Sequence, residues 1–331
     1  MSAEAQPSRQ APIRGRIDAI DIARGVALVA MAIYHFTWDL EFFGYAEPGL
    51  TQQGGWKLFA RCIASSFLFL VGISLVLGHS DGIRWRGFGR RLLQIAAAAA
   101  LITIATWFAT PDRFIFFGIL HQIALASVIG LALLRAPVWV LIAVAAVVIA
   151  GPHFLRNELL AYPVFWWLGL APADPPSNDY VPVFPWTGAV LIGIATGKLM
   201  KQAGLFETLQ GYTVGGWALP IRFSGRHSLA FYLLHQPVLI GCIWLFAQIW
   251  PADARPPEFR FLQSCERSCK AGDSGIDCTA YCICVLDEID QAGRLDDVLA
   301  GVSDSALQTQ LTDIAGQCSR SVHEMTPDAD Q

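Results

Sequence analysis

The chain has 331 residues, 54% of them hydrophobic and only 15% charged, with a formal net charge of −4 and a mean hydropathy of +0.45. That composition is too apolar for a soluble domain and excludes a disordered or strongly basic nucleic-acid-binding chain. It predicts an integral membrane protein.

Runs long enough to cross a hydrocarbon core, roughly 20 residues each, centre on 20–38, 58–78, 91–109, 114–134, 137–155, 183–200 and 229–250. They predict an all-α, polytopic transmembrane helix bundle of about seven spans. The apolar stretch "YPVFWWLGLAP" at 162–172 is too short and proline-bounded, and reads as re-entrant or interfacial. "FPWTG" at 184–188 reads as a broken helix entrance. Arg9, Arg14 and Arg16, then Arg84, Arg86, Arg90 and Arg91, Arg135, and Lys198, Lys201, Arg222 and Arg226 fall in alternate loops. Basic residues are retained on the cytoplasmic side, so the N-terminus is expected there, with residues 1–16 as a cytoplasmic tail. No small-residue cleavage site follows the first apolar run, which reads as a retained anchor.

The span region is expected to cover 17–252, followed by a second domain over 253–331. From Arg255 onward six basic residues face fourteen acidic ones, and six of the eight cysteines lie there: Cys265, Cys269, Cys278, Cys282, Cys284 and Cys318. An even number of thiols in a small polar segment on the exported side predicts a disulfide-rich, mainly helical domain. Two Cys-x-x-x-Cys pairs flank the turn "KAGDSGID" and would face each other across a helical hairpin, because residues four apart share a helix face. A zinc site is the competing reading; zinc knuckles more often use a two-residue gap, and no histidine lies near. No metal is expected. The connectivity of six cysteines stays open among fifteen pairings. No phosphate-binding glycine loop or basic aromatic patch is present, so no nucleic-acid partner is expected.

Charged and titratable groups inside spans are costly and need a use. In the first span, "DIARGVALVAMAIYHFTWD", Arg24 and His35 are eleven residues apart. That spacing returns to almost the same helix face, about 16 Å along the axis. Asp39 extends the stripe, Asp21 begins it, and Leu28 and Met31 lie between. A permanent cation at one end and an imidazole with a carboxylate partner at the other suit a long anionic ligand. The competing reading has Arg24 snorkelling as a topology signal and His35 making a structural bond. His121 in "FFGILHQIAL" and His235 in "FYLLHQPVLI" place further imidazoles in the fourth and seventh spans; three together suggest one polar cavity. His227 reads equally well as a helix-terminal surface residue, and Arg226 beside it as a positive-inside anchor. Arg90 and Arg91 read most simply as topology signals and, alternatively, as a second phosphate contact. His79, His153 and His323 carry no assignment.

The segments "IDIARGVALVAMAIYHFTWDLEFFGY", "FLFLVGISL", "RRLLQ", "LITIATWFATPDRFIFFGILHQIA", "FPWTGAVLIGIATGK" and "GRHSLAFYLLHQPVL", in this order, closely resemble bacterial membrane proteins grouped with the catalytic domain of heparan-alpha-glucosaminide N-acetyltransferase. The Arg24–His35 spacing also resembles the wider transmembrane acyltransferases. The resemblance implies an enzyme that moves an acyl group, acetyl for choice, from cytoplasmic acyl-CoA (acetyl-CoA) to an exported glycan or lipid-linked acceptor. Arg24 would hold the donor's phosphates, with Arg90 and Arg91 beside it; His35 would act as base, Asp39 would hold its tautomer, and His121 and His235 would complete the cavity. The expected setting is the bacterial inner membrane, with the lipid bilayer and the acceptor as partners, a homodimer as a further one, and a periplasmic C-terminus. The lysosomal enzyme looks to carry a further histidine in the loop after its first span. "EFFGYAEPGLTQQGG" has none here, which implies direct transfer. The alternatives are a transporter or flippase for an anionic lipid or glycan precursor, and a membrane scaffold presenting the cysteine-rich domain.

Overall fold

The computed structural model describes residues 16–47, 49–79, 81–211, 215–252, 257–271, 276–299, 301 and 304–325. Arg9 and Arg14 of the tail, the linker residues 253–256 and the turn residues 272–275 lie outside the described residues, which are helical and contain no strand. Five helices have the length and apolarity to cross a membrane: α1 (Asp18–Phe42), α2 (Gly54–His79), α3 (Trp85–Ala109), α6 (Val183–Gln202) and α9 (Ser228–Ile249). Two shorter apolar helices, α4 (Ile119–Leu133) and α5 (Val138–Phe154), occupy the fourth and fifth expected spans. The fourth begins five residues later than its hydropathy suggests. Residues 111–113 form a 3-10 turn after Pro111, and Gly118 is the residue that opens α4. Their 15 and 17 residues give about 22–26 Å, less than a hydrocarbon core of about 30 Å. The aromatic stretch at 162–172 contains only a six-residue 3-10 helix, Pro163–Leu168, too short to cross. At "FPWTG" the start of α6 is broken by non-helical dihedrals at Phe184.

The chain forms two compact units, Met1–Phe36 with Gly54–Leu239, and Thr37–Gln53 with Ile240–Gln331. In the first unit α6 packs against α2 and α5 through small residues. A Cβ on Gly72 would sit 2.2 Å from the Val190 carbonyl oxygen, and one on Gly193 2.1 Å from that of Phe69. Membrane helices gain little from hydrophobic exclusion between one another, so close backbone approach and its dispersion energy hold them together. Leu68, Leu75, Val76, Ala126, Leu141, Val190, Leu191 and Ile194 fill the resulting core. Large apolar side chains such as Phe108, Trp139, Val147 and Leu234 are exposed, as lipid-facing residues are. Lys198 of α6 donates to the carbonyls of Leu134 and Ala136 at 3.1 and 2.5 Å, satisfying acceptors just past the end of α4.

The second unit is built on α10 (Pro257–Ala271), α11 (Cys278–Gln291), α12 (Leu295–Leu299) and α13 (Ser305–Met325). Cys265 pairs with Cys282 and Cys269 with Cys278, so the two Cys-x-x-x-Cys faces do meet across the α10–α11 hairpin; Cys284 pairs with Cys318 of α13. Val285, Ile289 and Ile314 pack around that third bridge. In the same unit the Glu41 carboxylate accepts from the Thr51 N–H at 3.1 Å and hydroxyl at 2.8 Å, closing the loop after α1. Glu47 of that loop accepts from Gln263 at 3.2 Å and Arg267 at 2.5 Å. Asp39 is fully buried here.

Candidate functional site

The charged end of the first unit begins with two glycines. A Cβ on Gly25 would lie 2.0 Å from the Ile221 carbonyl oxygen, and one on Gly225 1.7 Å from that of Asp21. The short helix α8 (Leu219–Arg226) therefore lies with its backbone against α1, which only glycine at both positions permits. This contact delivers Arg222 and Arg226 to the carboxylates of α1. Asp18 binds Arg222 at 2.5 Å and Arg226 at 3.1 Å. Asp21, 2% exposed, accepts from Arg16 Nε at 3.1 Å, Arg24 Nη1 at 3.2 Å and Arg226 Nε at 3.3 Å. Arg24 also donates from Nη2 to the Ser74 hydroxyl of α2 at 2.5 Å. Four guanidiniums thus surround two carboxylates, a surplus of two positive charges at the foot of α1.

A cavity of about 810 Å³ opens beside this cluster, lined at its polar end by Arg24, Ser74, His79, Arg91, Arg226 and His227. Of the neighbouring pair predicted from sequence, Arg91 lines it and Arg90, exposed, does not; successive helical residues point about 100° apart. Along α1, and from the end of α8 into α9, the lining passes from Arg24 and Arg226 to Leu28, Leu229 and Tyr232, with Val71, Leu75, Ile95, Leu120 and Ile123 supplied by α2, α3 and α4. It is a basic mouth leading into an apolar interior.

Beyond Tyr232 stand two imidazoles. The rings of His35 and His235 have centroids 5.0 Å apart, and that of Tyr232 is 5.7 Å from His235. His235 Nδ1 lies 2.7 Å from the Tyr232 carbonyl oxygen. A carbonyl only accepts, so Nδ1 carries the proton. Neither His35 nor His235 is on the cavity lining; the pair adjoins it through Tyr232. The third predicted imidazole is elsewhere. His121 Nδ1 accepts from the Gly118 N–H at 3.3 Å, and Nε2 donates to the Thr103 hydroxyl at 3.2 Å, which itself donates to the Ile115 carbonyl. One nitrogen caps the start of α4 and the other ties it to α3. Beside it Gln122 donates to Thr187 at 2.7 Å, both buried.

Ser74, His79 and Arg226 escaped assignment from sequence. A lone hydroxyl inside "FLFLVGISLVL" was the available signal for Ser74. His79 carries no assignment there and Arg226 reads as a topology signal, because their place on the cavity depends on α3 and α8.

A further ionisable group, half-buried, lies in the loop before α6. Asp179 Oδ2 accepts from the Ile119 N–H at 2.8 Å, and a Cβ on Gly118 would come within 2.3 Å of that oxygen. Burial pushes the carboxyl up to about 6, opposed by the Ile119 hydrogen bond. A carboxyl whose native value lies above its unfolded value of 3.8 destabilises the native state as pH rises between the two, because the unfolded chain releases its proton first. Asp179→Asn keeps an acceptor for Ile119 and removes the titration. It is expected to raise stability above pH 6 by on the order of 3 kcal/mol, and to leave stability near pH 4 nearly unchanged, in thermal unfolding across that range.

The family model described as "Heparan-alpha-glucosaminide N-acetyltransferase, catalytic" matches residues 16–237, more than half of the chain. The matched segment runs from Arg16 of the Asp21 cluster to two residues past His235. No curated protein and no solved structure matches the chain.

Proposed function

Because the chain belongs to the heparan-alpha-glucosaminide N-acetyltransferase catalytic family, whose members are transmembrane acetyltransferases, we propose that this multi-pass membrane protein transfers an acetyl group from acetyl-CoA to an exported glycan or lipid-linked acceptor. The observation that carries the reading is the order of chemistry along and just beyond one cavity: guanidiniums, then apolar walls ending at Tyr232, then the imidazole pair behind Tyr232. A coenzyme A thioester has the same order, with an anionic phosphate head, a slim pantetheine arm and a reactive carbonyl at the far end.

Arg24, Arg91 and Arg226 hold the phosphates, Arg24 with its planar fork braced by Ser74. Leu28, Val71, Leu75 and Ile95 sheathe the arm and exclude water. His35 takes the proton of the acceptor's hydroxyl or amine as it attacks the thioester carbon. Transfer is direct, with no histidine in the loop after α1 to carry the group. His121, used as a helix cap, supports the site through α4 and makes no chemical step. The basic mouth lies on the cytoplasmic face of a bacterial inner membrane, and the disulfide-bonded unit, on the periplasmic side, keeps its bridges in an oxidising compartment.

Purified protein in nanodiscs tests this with radiolabelled acetyl-CoA and glucosamine as the probe acceptor. Time-dependent release of coenzyme A with label in the sugar is expected. Arg24→Lys preserves the charge against Asp21 and loses the fork; it is expected to raise KM for acetyl-CoA by about 10- to 100-fold, the worth of one charged hydrogen bond, with kcat little changed. A wild-type protein that neither binds nor cleaves acetyl-CoA overturns the reading.

A further inference from the structure

The two imidazoles are not equivalent. His235 Nδ1 is committed as a donor to the Tyr232 carbonyl at 2.7 Å. Its Nε2 therefore carries a lone pair, and that nitrogen is buried with no hydrogen-bond partner among the described residues. A buried acceptor left unpaired costs about 1–3 kcal/mol, and its persistence beside a second imidazole asks for a use. The ring of His35 is the group at hand, 5.0 Å away between centroids and tilted by 59°. Tyr232, whose carbonyl sets the tautomer, also lines the donor cavity. Pro237 lies two residues on in the same helix.

Resting on the acyl-transfer reading above, we propose that His35 and His235 form a two-imidazole proton relay in which His235 Nε2 is the terminal acceptor and the Tyr232 carbonyl is its positioning group. As the acceptor's oxygen or nitrogen bonds to the thioester carbon, its proton passes to one nitrogen of His35, and the proton on the opposite His35 nitrogen passes to His235 Nε2. The carbon–sulfur bond breaks with both electrons leaving on sulfur. The proton then returns by the same path, restoring the tautomers of both rings, and neutralises the coenzyme thiolate. Reactants and products differ only by exchange of the acyl group and one proton.

The relay separates His235 from a packing residue. His235→Asn retains an N–H near the Nδ1 position for the Tyr232 carbonyl and deletes the Nε2 acceptor. With acetyl-CoA and glucosamine, kcat is expected to fall by at least about 10-fold while KM for acetyl-CoA stays within about threefold. The proton inventory in mixed H₂O and D₂O is expected to curve in the wild type, with two protons in flight, and to become linear in His235→Asn. An unchanged kcat, or curvature that survives the substitution, overturns the relay while leaving acyl transfer intact. A second measurement needs no turnover. In protein labelled with ¹⁵N-histidine, the resonances lost in His235→Asn are expected to report a protonated Nδ1 and an unprotonated Nε2; the opposite tautomer overturns the relay even if glucosamine is no acceptor.

Discussion

Replacing His35 by glutamine is expected to lower kcat for acetyl transfer by about 10²- to 10⁴-fold, the range for loss of a positioned general base, and to change KM for acetyl-CoA by less than about threefold. Glutamine can accept a hydrogen bond at neutral pH but cannot hold the acceptor's proton. Donor affinity is expected to stay because His35 does not line the cavity; the residues that do are Arg24, Arg91, Arg226 and the apolar wall from Leu28 to Tyr232. Steady-state rates in nanodiscs, read alongside equilibrium binding of acetyl-CoA, separate the two effects. A His35→Gln protein that fails to bind acetyl-CoA would make the imidazole part of the donor site, and one with full kcat would take it out of the chemistry. Thermal unfolding of the same variant guards against misfolding, since the glutamine side chain fills nearly the space of the ring beside His235.

What could be read from the amino-acid sequence depended on how local the physical cause was. The Cys-x-x-x-Cys pairs were legible because four-residue spacing fixes a shared helix face before any partner is known. The Cys284–Cys318 bridge was not, because α12 and most of α13 intervene. The Asp21–Arg24 ion pair follows from spacing three; the arrival of Arg226 on the same carboxylate depends on the Gly25–Gly225 crossing, 200 residues apart in the chain. "ILHQIAL" and "LLHQPVL" present the same signature, an imidazole and an amide inside an apolar run. His121 lies three residues after the helix-opening Gly118, so its ring turns back to cap α4, whereas His235 lies in the body of α9 and meets His35. Hydropathy also set the start of the fourth span too early. The carboxylate that caps α4 comes from Asp179, sixty residues later, which no local pattern announces.

The largest structural effect is expected at Asp21. Its carboxylate is 2% exposed and is the shared acceptor of Arg16, Arg24 and Arg226. Asp21→Ala takes the carboxylate from Arg24, 20% exposed, whereas Arg16 is 60% exposed and Arg226 keeps Asp18; removing one partner of a buried ion pair costs about 3–5 kcal/mol because the remaining charge stays desolvated. The exposed pairs Lys201–Asp81 and Arg156–Asp174 provide internal comparison. Their carboxylates are more than two-thirds exposed, and pairs of that kind contribute at most about 1 kcal/mol. In thermal unfolding at matched detergent, Asp21→Ala is expected to lower the midpoint severely, and Asp81→Ala and Asp174→Ala hardly at all. Combining Asp21→Ala with Arg24→Met removes the stranded cation, so the double variant is expected to recover part of the loss, a coupling that contact between the two residues requires. If Asp21→Ala unfolds no sooner than Asp81→Ala, the guanidiniums are solvated and the carboxylate is not their keystone. The mouth of the cavity would then be held by the Gly25–Gly225 backbone contact and by the pairs that Arg222 and Arg226 make with Asp18.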